Sequence, residues 1–141
     1  MSATMNATGS CLCGGVTLTA QAVNPNADAC HCGMCRKWGG GPLLAVECGS
    51  KVSFTGEENI AIFDSSVWAE RGFCRQCGTH LFYRLKESPR YAIPAGLLDS
   101  EGQLSLHQQI FIDEKPAFYA FANDTRNLTG EEVFAQHGAS S

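Results

Sequence analysis

Short runs in which apolar and polar residues alternate recur along the chain, and Gly, Asn, Asp or Pro residues separate them. Alternation of this kind is typical of half-buried antiparallel strands, whose successive side chains point to opposite faces. In the first run, Val16, Leu18 and Ala20 fall on one face, which we expect to lie in the core. The pattern predicts eight strands: VTLTAQA (16–22), LLAVEC (43–48), KVSF (51–54), IAIFD (60–64), VWAERGF (67–73), THLFYRL (79–85), YAIPAGL (91–97) and LSLHQQIFI (104–112).

Helical patterns are weak in this sequence. The clearest is TGEEVFAQ at 129–136, where Thr129 stands in position to cap a turn that carries Glu131 and Glu132. A second short turn is expected after Pro116. The sequence therefore predicts a mainly β fold of small antiparallel sheets with a few short helical turns. We expect a flexible N-terminal segment over residues 1–8 and a single domain over residues 9–138.

Length and charge narrow the functional classes. The 141 residues are 44% apolar, which suits a compact domain with its own core. The formal charge of −4 and the scattered Lys and Arg residues argue against nucleic-acid binding. The longest apolar runs, such as LLAV at 43–46, are too short to cross a bilayer, and the first residues do not resemble a secretory signal. We therefore expect a cytoplasmic protein with no nucleic-acid or membrane partner.

The eight cysteines add a functional signal, because seven of them fall into three clusters and one is isolated. Without an export signal, such clusters are more often metal or redox groups than disulfides. The isolated Cys48 lies in an apolar run, where we expect a buried small apolar side chain. The clusters are C-x-C-G-G with Cys11 and Cys13, C-H-C-G-M-C with Cys30, Cys32 and Cys35, and C-x-x-C-G with Cys74 and Cys77.

The C-x-x-C-G cluster is typical of a zinc knuckle, in which a tight turn directs two sulfurs at one ion. The glycine after the second cysteine permits the positive φ that the turn needs. A structural zinc needs four ligands, and the C-x-C-G-G cluster can supply the other two if its glycines let the backbone bend. A thioredoxin-like redox pair and a disulfide scaffold remain alternatives, although strand-like sequence on both sides of Cys74 and Cys77 does not favour a redox motif.

This division leaves Cys30, Cys32 and Cys35, which we call the tripod. Three protein ligands and an open fourth position are typical of a catalytic zinc. His31 lies between two of the ligands, and we expect its side chain to point away from the metal. The alternative is that a distant residue closes the site. The candidates for that role are His80, His107 and Cys48.

A zinc ion held by three thiolates is soft and is a weaker activator of water than one held by three histidines. It suits the binding of a thiol, whose pKa falls on coordination, and a nucleophilic thiol adds to an aldehyde. Arg36 and Lys37 directly follow the tripod. Arg36 is the candidate for binding an anionic thiol through a bidentate pair, with ordinary solvent-exposed charges as the alternative.

Three motifs in this order resemble the family of the glutathione-dependent formaldehyde-activating enzyme, GFA, which includes the centromere protein V domain. They are GSCLCGGV (9–16), CHCGMCRK (30–37) and FCRQCGTHLF (73–82), and the stretch QIFIDEKPAFY (109–119) is similar to the family's C-terminal element. The resemblance implies a β-tent fold and two zinc ions per chain. It places a structural ion on Cys11, Cys13, Cys74 and Cys77 and a second, labile ion on Cys30, Cys32 and Cys35.

The resemblance also implies an activity. The named family member joins formaldehyde to glutathione, which gives S-hydroxymethylglutathione, and it is classed as a carbon–sulfur lyase. We therefore expect a zinc enzyme that acts on adducts of a thiol and an aldehyde. The alternatives are a non-catalytic module that docks a thiol or a protein partner, and a purely structural protein with two zinc ions.

Overall fold

The computed structural model describes residues 4–137, and of His137 only the backbone. Within this range the chain forms eleven strands, two α-helices and several short 3-10 turns. The strands are β1 (Met5–Ser10), β2 (Thr17–Val23), β3 (Asn26–Cys30), β4 (Leu43–Gly49), β5 (Val52–Thr55), β6 (Ile60–Phe63), β7 (Ala69–Cys74), β8 (His80–Leu85), β9 (Tyr91–Pro94), β10 (Ser105–Ile110) and β11 (Arg126–Asn127). The helices are α1 (Gly33–Gly39) and α2 (Gly130–His137).

The contacts divide the chain into two compact units. Of the described residues, the first contains residues 4–25 together with Val46–Leu104. The second contains Asn26–Ala45 together with residues 105–137. Each of the two cysteine groups described below lies entirely within one of these units.

In the first unit, β1, β2 and β5 form an antiparallel sheet in which Ala7 pairs with Ala20. Val16, Leu18 and Ala20 are at most 3% exposed, as the alternating pattern predicts. Strands β6 to β9 pair in sequence, all antiparallel. The fully buried ring of Phe82 fills the space over Gly72, where an added Cβ atom would lie 2.3 Å from the ring.

In the second unit, β3 lies between β10 and the first residues of β4. The β3–β4 pair is antiparallel, whereas β10 runs parallel to both β3 and β11. The sheet that contains β10 is therefore mixed, whereas the other named strand pairs are antiparallel, in agreement with the predicted small antiparallel sheets. Helix α2 packs edge-on through Phe134 against Phe111, with the ring centroids 5.7 Å apart.

The prediction of a mainly β protein is confirmed, and each of the eight predicted runs contains a strand. From Met5 onwards, the segment over residues 1–8 that we expected to be flexible belongs to strand β1, which pairs with β2. Residues 1–3 of the predicted N-terminal segment and residue 138 of the predicted domain lie outside the described part of the chain. The run 91–97 is a strand only to Pro94 and then forms a 3-10 turn.

The predicted C-terminal helix is α2, and Thr129 caps it. The Thr129 hydroxyl accepts the Glu132 N–H at 3.2 Å, while the Glu132 carboxylate accepts the Thr129 N–H at 2.8 Å. This reciprocal pair is a capping box, which satisfies two of the amide groups that a helix start leaves without partners. A turn also follows Pro116, as expected. Among the described residues, neither helix has the length and apolar content needed to cross a bilayer.

Candidate metal centres

Two glycine-containing turns of the first unit bring four cysteine sulfurs together. In the first turn the Cys11 N–H donates to the Val16 carbonyl at 3.0 Å, and in the second the Cys74 N–H donates to the Thr79 carbonyl at 2.9 Å. Gly14 and Gly78 have φ values of 79° and 80°, a conformation that favours glycine. The sulfurs of the resulting group all lie within 4.8 Å of one another, and its members are Cys11, Cys13, Cys74 and Cys77.

The sulfur spacing of this four-cysteine group fits a zinc ion. Tetrahedral bonds of about 2.3 Å place neighbouring sulfurs about 3.8 Å apart. The Cys13 sulfur lies 3.6 Å from that of Cys11 and 3.8 Å from that of Cys74. The donor set, four thiols with no carboxylate or water position required, is the set that structural zinc prefers. The group can therefore hold one ion with protein ligands alone.

Nearby donors stabilise negative charge on these sulfurs. The Val16 N–H donates to the Cys11 sulfur at 3.3 Å, and the Gly15 N–H donates to the Cys13 sulfur at 3.4 Å. A hydrogen bond from the Thr79 hydroxyl, 3.1 Å away, is the main cause that lowers the pKa of Cys77 to about 5. Since metal-bound cysteines are thiolates, these contacts favour the state that binds an ion.

The positive φ at Gly78 gives a prediction with a matched control. Neither Gly78 nor Gly39 has an atom within 4 Å of an added Cβ, so the two sites differ mainly in backbone conformation. We expect Gly78→Ala to lower the free energy of unfolding by about 1–2 kcal/mol, because alanine is strained at φ 80°. Gly39→Ala, in helix α1, should raise it by about 0.5–1 kcal/mol. Urea unfolding followed by circular dichroism measures both changes, and equal changes would contradict the interpretation.

The tripod lies in the second unit, where β3 ends at Cys30 and α1 begins at Gly33. Cys32 is the N-cap of the helix, and its sulfur accepts the Cys35 N–H at 3.3 Å. The Glu114 carboxylate accepts the Gly33 N–H at 2.9 Å, which satisfies a second amide at the helix start. This strand-to-helix turn places all three tripod sulfurs within 4.8 Å of one another.

Hydrogen bonds among the three thiols of the tripod shift their pKa values in opposite directions. Those with Cys30 and Cys35 lower the pKa of the Cys32 thiol. Those with Cys32 and Cys35 raise the pKa of the Cys30 thiol. Three soft donors of this kind fit a thiophilic ion such as zinc.

Within the described residues the tripod group has three members. The candidates for a fourth ligand, His80, His107 and Cys48, are not part of it. Cys48 is fully buried and its thiol lies 3.7 Å from the Val46 carbonyl, so the expectation of a buried small side chain is confirmed. Among the described residues, the group thus offers three sulfur ligands to an ion.

A model of the family described as "Glutathione-dependent formaldehyde-activating enzyme" matches residues 6–114. The chain belongs to the GFA family. It is 38% identical over 126 residues to a Schizosaccharomyces pombe protein named as an uncharacterized lyase, covering 89% of this chain and 92% of that one. It is 32% identical over 124 residues to a putative glutathione-dependent formaldehyde-activating enzyme of Podospora anserina. That match covers 80% of this chain but only 53% of the relative.

A solved structure of a Rhodobacter sphaeroides protein is also similar to this GFA protein. The TM-score is 0.57 at 26% sequence identity, and the match covers 65% of this chain and 87% of the other. The likeness supports the mainly β fold described above.

Arg36 is held beside the tripod of this GFA protein. It is half-buried, and its Nε donates to the His31 carbonyl at 2.9 Å. The bond keeps the guanidinium next to the loop that carries Cys30 and Cys32. Lys37, the other basic residue that the sequence indicated, is exposed. The structure thus distinguishes the two residues, since only Arg36 is tied to the tripod loop.

His31 is fully buried, and both its ring nitrogens have partners outside the sulfur group. Nδ1 lies 2.8 Å from the Tyr119 hydroxyl, and Nε2 lies 2.8 Å from Oε1 of Gln109. The expectation that the ring points away from the metal ligands is therefore confirmed. The sequence analysis did not find the roles of Gln109 and Tyr119. The only sequence signal for them is that both fall in the stretch 109–119 that is similar to the family's C-terminal element.

Proposed function

We propose that this GFA protein is a cytoplasmic zinc enzyme that forms or breaks the carbon–sulfur bond between a thiol and an aldehyde. Glutathione and formaldehyde are the first substrates to test, because the family description and the Podospora relative's name point to them. The observation that carries the proposal is the tripod, in which three cysteine sulfurs converge and, among the described residues, no fourth ligand completes the group.

Two zinc ions per chain form part of the proposal. Cys11, Cys13, Cys74 and Cys77 would hold a structural ion, and Cys30, Cys32 and Cys35 would hold a more labile second one. When bound at the tripod, zinc supplies a soft Lewis acid that favours the deprotonated form of a thiol at neutral pH. The four-cysteine group offers no such position for a substrate, since its own sulfurs satisfy tetrahedral coordination.

The proposed reaction needs no oxidant and no further reactant. The thiol sulfur forms a bond to the carbonyl carbon, the π pair of the carbonyl moves to its oxygen, and the proton lost by the thiol ends on that oxygen. The product is an S-hydroxymethyl thiol when the aldehyde is formaldehyde, and the reverse reaction releases both substrates. The contribution of Arg36 is to bind a carboxylate of the thiol and so orient its sulfur toward the tripod.

Metal content and a rate measurement test the proposal. Protein purified without chelator should contain two zinc equivalents, and the protein should accelerate adduct formation from glutathione and formaldehyde beyond the spontaneous rate. Two zinc ions without acceleration, together with saturable glutathione binding, would instead support a non-catalytic docking module. Two equally inert ions with no effect of glutathione would support a purely structural role.

The binding role of Arg36 gives a separate prediction. Arg36→Gln should raise the KM for glutathione about tenfold, because a charge-assisted hydrogen bond is lost at a half-buried site. The same variant should leave the KM for uncharged 2-mercaptoethanol nearly unchanged. Arg36→Lys keeps the positive charge but not the planar guanidinium. Its KM for glutathione should therefore lie between those of the wild type and Arg36→Gln. Equal changes for both thiols would show that Arg36 does not recognise the anionic group.

A further inference from the structure

A continuous line of hydrogen bonds in the second unit ends on the residue between Cys30 and Cys32. Asn127 Oδ1 accepts the Thr125 hydroxyl at 2.7 Å, and Thr125 Oγ1 accepts the Gln109 Nε2–H at 2.9 Å. Gln109 and Tyr119 then bind the two ring nitrogens of His31. The tripod itself uses none of these four partners as a ligand.

The direction of each bond in this line follows from its neighbours. The Thr125 hydroxyl gives its proton to Asn127, so its oxygen is the acceptor for the amide N–H of Gln109. The Gln109 oxygen must then face His31, and His31 Nε2 must carry the proton that it donates. In the neutral ring the other nitrogen, Nδ1, is then an acceptor, and the Tyr119 hydroxyl donates to it. The line fixes one neutral tautomer of His31 and one orientation of its ring.

Packing holds the same ring in place. The Tyr119 ring lies against that of His31 with centroids 5.5 Å apart, and the Phe121 ring lies at 6.0 Å. The His31 backbone is bound as well, since its carbonyl accepts Arg36 Nε and its N–H donates to the Ile110 carbonyl at 3.1 Å. Residue 31 is thus fixed at its ring and at both backbone polar groups, while Cys30 and Cys32 on either side carry tripod sulfurs.

We infer that Gln109 and Tyr119 are positioning residues that act through His31 to hold the tripod sulfurs in their binding geometry. The inference rests on the proposed function in one respect, namely that the tripod binds zinc. Ligands that are already in place when the ion arrives lose less conformational freedom on binding. Partners that orient residues around a metal site commonly change its affinity for the metal by 10–100-fold when they are removed.

The test measures zinc affinity without any substrate. Tyr119→Phe removes one hydroxyl and keeps the ring, and Gln109→Met removes the acceptor at similar volume. Each should weaken the labile zinc about tenfold in competition with a chromogenic chelator, and should leave the tightly held zinc unchanged. Tyr91→Phe is the control, because it removes a hydroxyl that accepts a hydrogen bond from Arg84 in the other unit. It should leave both affinities unchanged.

Coupling between the two variants distinguishes positioning from general destabilisation. Either change frees the His31 ring, so the double variant should weaken the labile zinc by about tenfold to twentyfold rather than a hundredfold. The sulfur-to-metal charge-transfer absorption of the protein loaded with Co²⁺ should change in Tyr119→Phe and Gln109→Met, and it should not change in the Tyr91→Phe control. Variants that lower the thermal unfolding temperature but keep wild-type zinc affinity would overturn the inference.

The inference and the proposed function can fail separately. A wild-type protein that binds two zinc ions without accelerating the addition of glutathione to formaldehyde contradicts the enzymatic proposal, while the affinity changes still support the positioning role. Unchanged affinities in an active enzyme overturn the positioning role alone. A wild-type protein that takes up no ion at the tripod overturns both.

Discussion

Cys74→Ala is expected to lower the free energy of unfolding by more than about 3 kcal/mol and, at 37 °C, to leave much of the protein unfolded. Cys74 is fully buried, and its sulfur belongs to the four-cysteine group. The apparent binding free energy of a structural zinc, about 10–16 kcal/mol, is also folding free energy, because the unfolded chain does not present the site. Loss of one of four ligands removes a large share of it, whereas typical domains have only about 5–15 kcal/mol in total.

Cys48→Ala is the matched control for this prediction. Cys48 is as fully buried as Cys74, so the substitution removes the same atoms from an equally buried position. Cys48 belongs to neither sulfur group, and we expect a loss of only about 1–2 kcal/mol from the cavity. Urea unfolding followed by circular dichroism, with and without chelator, measures both variants. Equal losses in the two variants would show that the four-cysteine group does not stabilise the fold through a metal.

The alternating pattern predicted the strands that lie over a core, and it missed those that carry few large apolar residues. Strand β2 is an example of the first kind, since its alternate residues are buried. Strand β3, with the sequence NADAC, buries only the two alanines Ala27 and Ala29. It is a strand because it pairs with β4 and with β10, whose sequence lies more than 70 residues further along the chain. The local pattern of apolar and polar residues cannot predict pairing with a strand so far along the chain.

Helix α1 was missed for a different reason. It has only seven residues and begins directly within the C-H-C-G-M-C motif, where the Cys32 sulfur serves as the cap. Sulfur is not among the usual capping groups, so the sequence carries no standard start signal. The end of the helix does have a sequence signal, namely Gly40. This glycine is the C-cap and adopts the left-handed conformation that commonly follows a helix.

The two sulfur groups could be anticipated because ligand spacing is local. A C-x-C or C-x-x-C turn depends on three or four residues and on a glycine that permits positive φ, as at Gly14 and Gly78. The partners of His31 could not be anticipated in this way, since Gln109 and Tyr119 lie 78 and 88 residues away. The sequence therefore indicated the candidate metal ligands, but not the side chains that bind His31.

Each sulfur group lies within its own compact unit. We expect the two groups to differ in the folding free energy that is lost when one of their cysteines is replaced. The four-cysteine group joins segments 61 residues apart, between Cys13 and Cys74, so an ion bound there would close a long loop of the chain. The tripod spans only residues 30–35 and closes almost no loop. Removal of a tripod ligand should therefore cost little folding free energy, even though it removes a ligand from the proposed working site.

Cys32→Ser should accordingly abolish catalysis and leave the fold intact. Serine is a strong N-cap residue, and its hydroxyl can accept the Cys35 N–H that the Cys32 sulfur accepts now, so α1 keeps its cap. A serine hydroxyl remains protonated at neutral pH and is a poor ligand for a soft ion, so the labile zinc should be lost. We expect the rate of adduct formation to fall to the spontaneous rate, and the free energy of unfolding to change by less than about 1 kcal/mol.

Nuclear magnetic resonance exchange measurements with glutathione and formaldehyde report the rate, and urea unfolding reports the stability of the same sample. Cys48→Ala, with both sulfur groups intact, should keep the wild-type rate. Acceleration retained in Cys32→Ser would place the chemistry outside the tripod. Unfolding of Cys32→Ser to the extent expected for Cys74→Ala would show that the tripod, too, stabilises the fold. The contrast between the two cysteine variants thus tests the assignment of a structural role to one sulfur group and a catalytic role to the other.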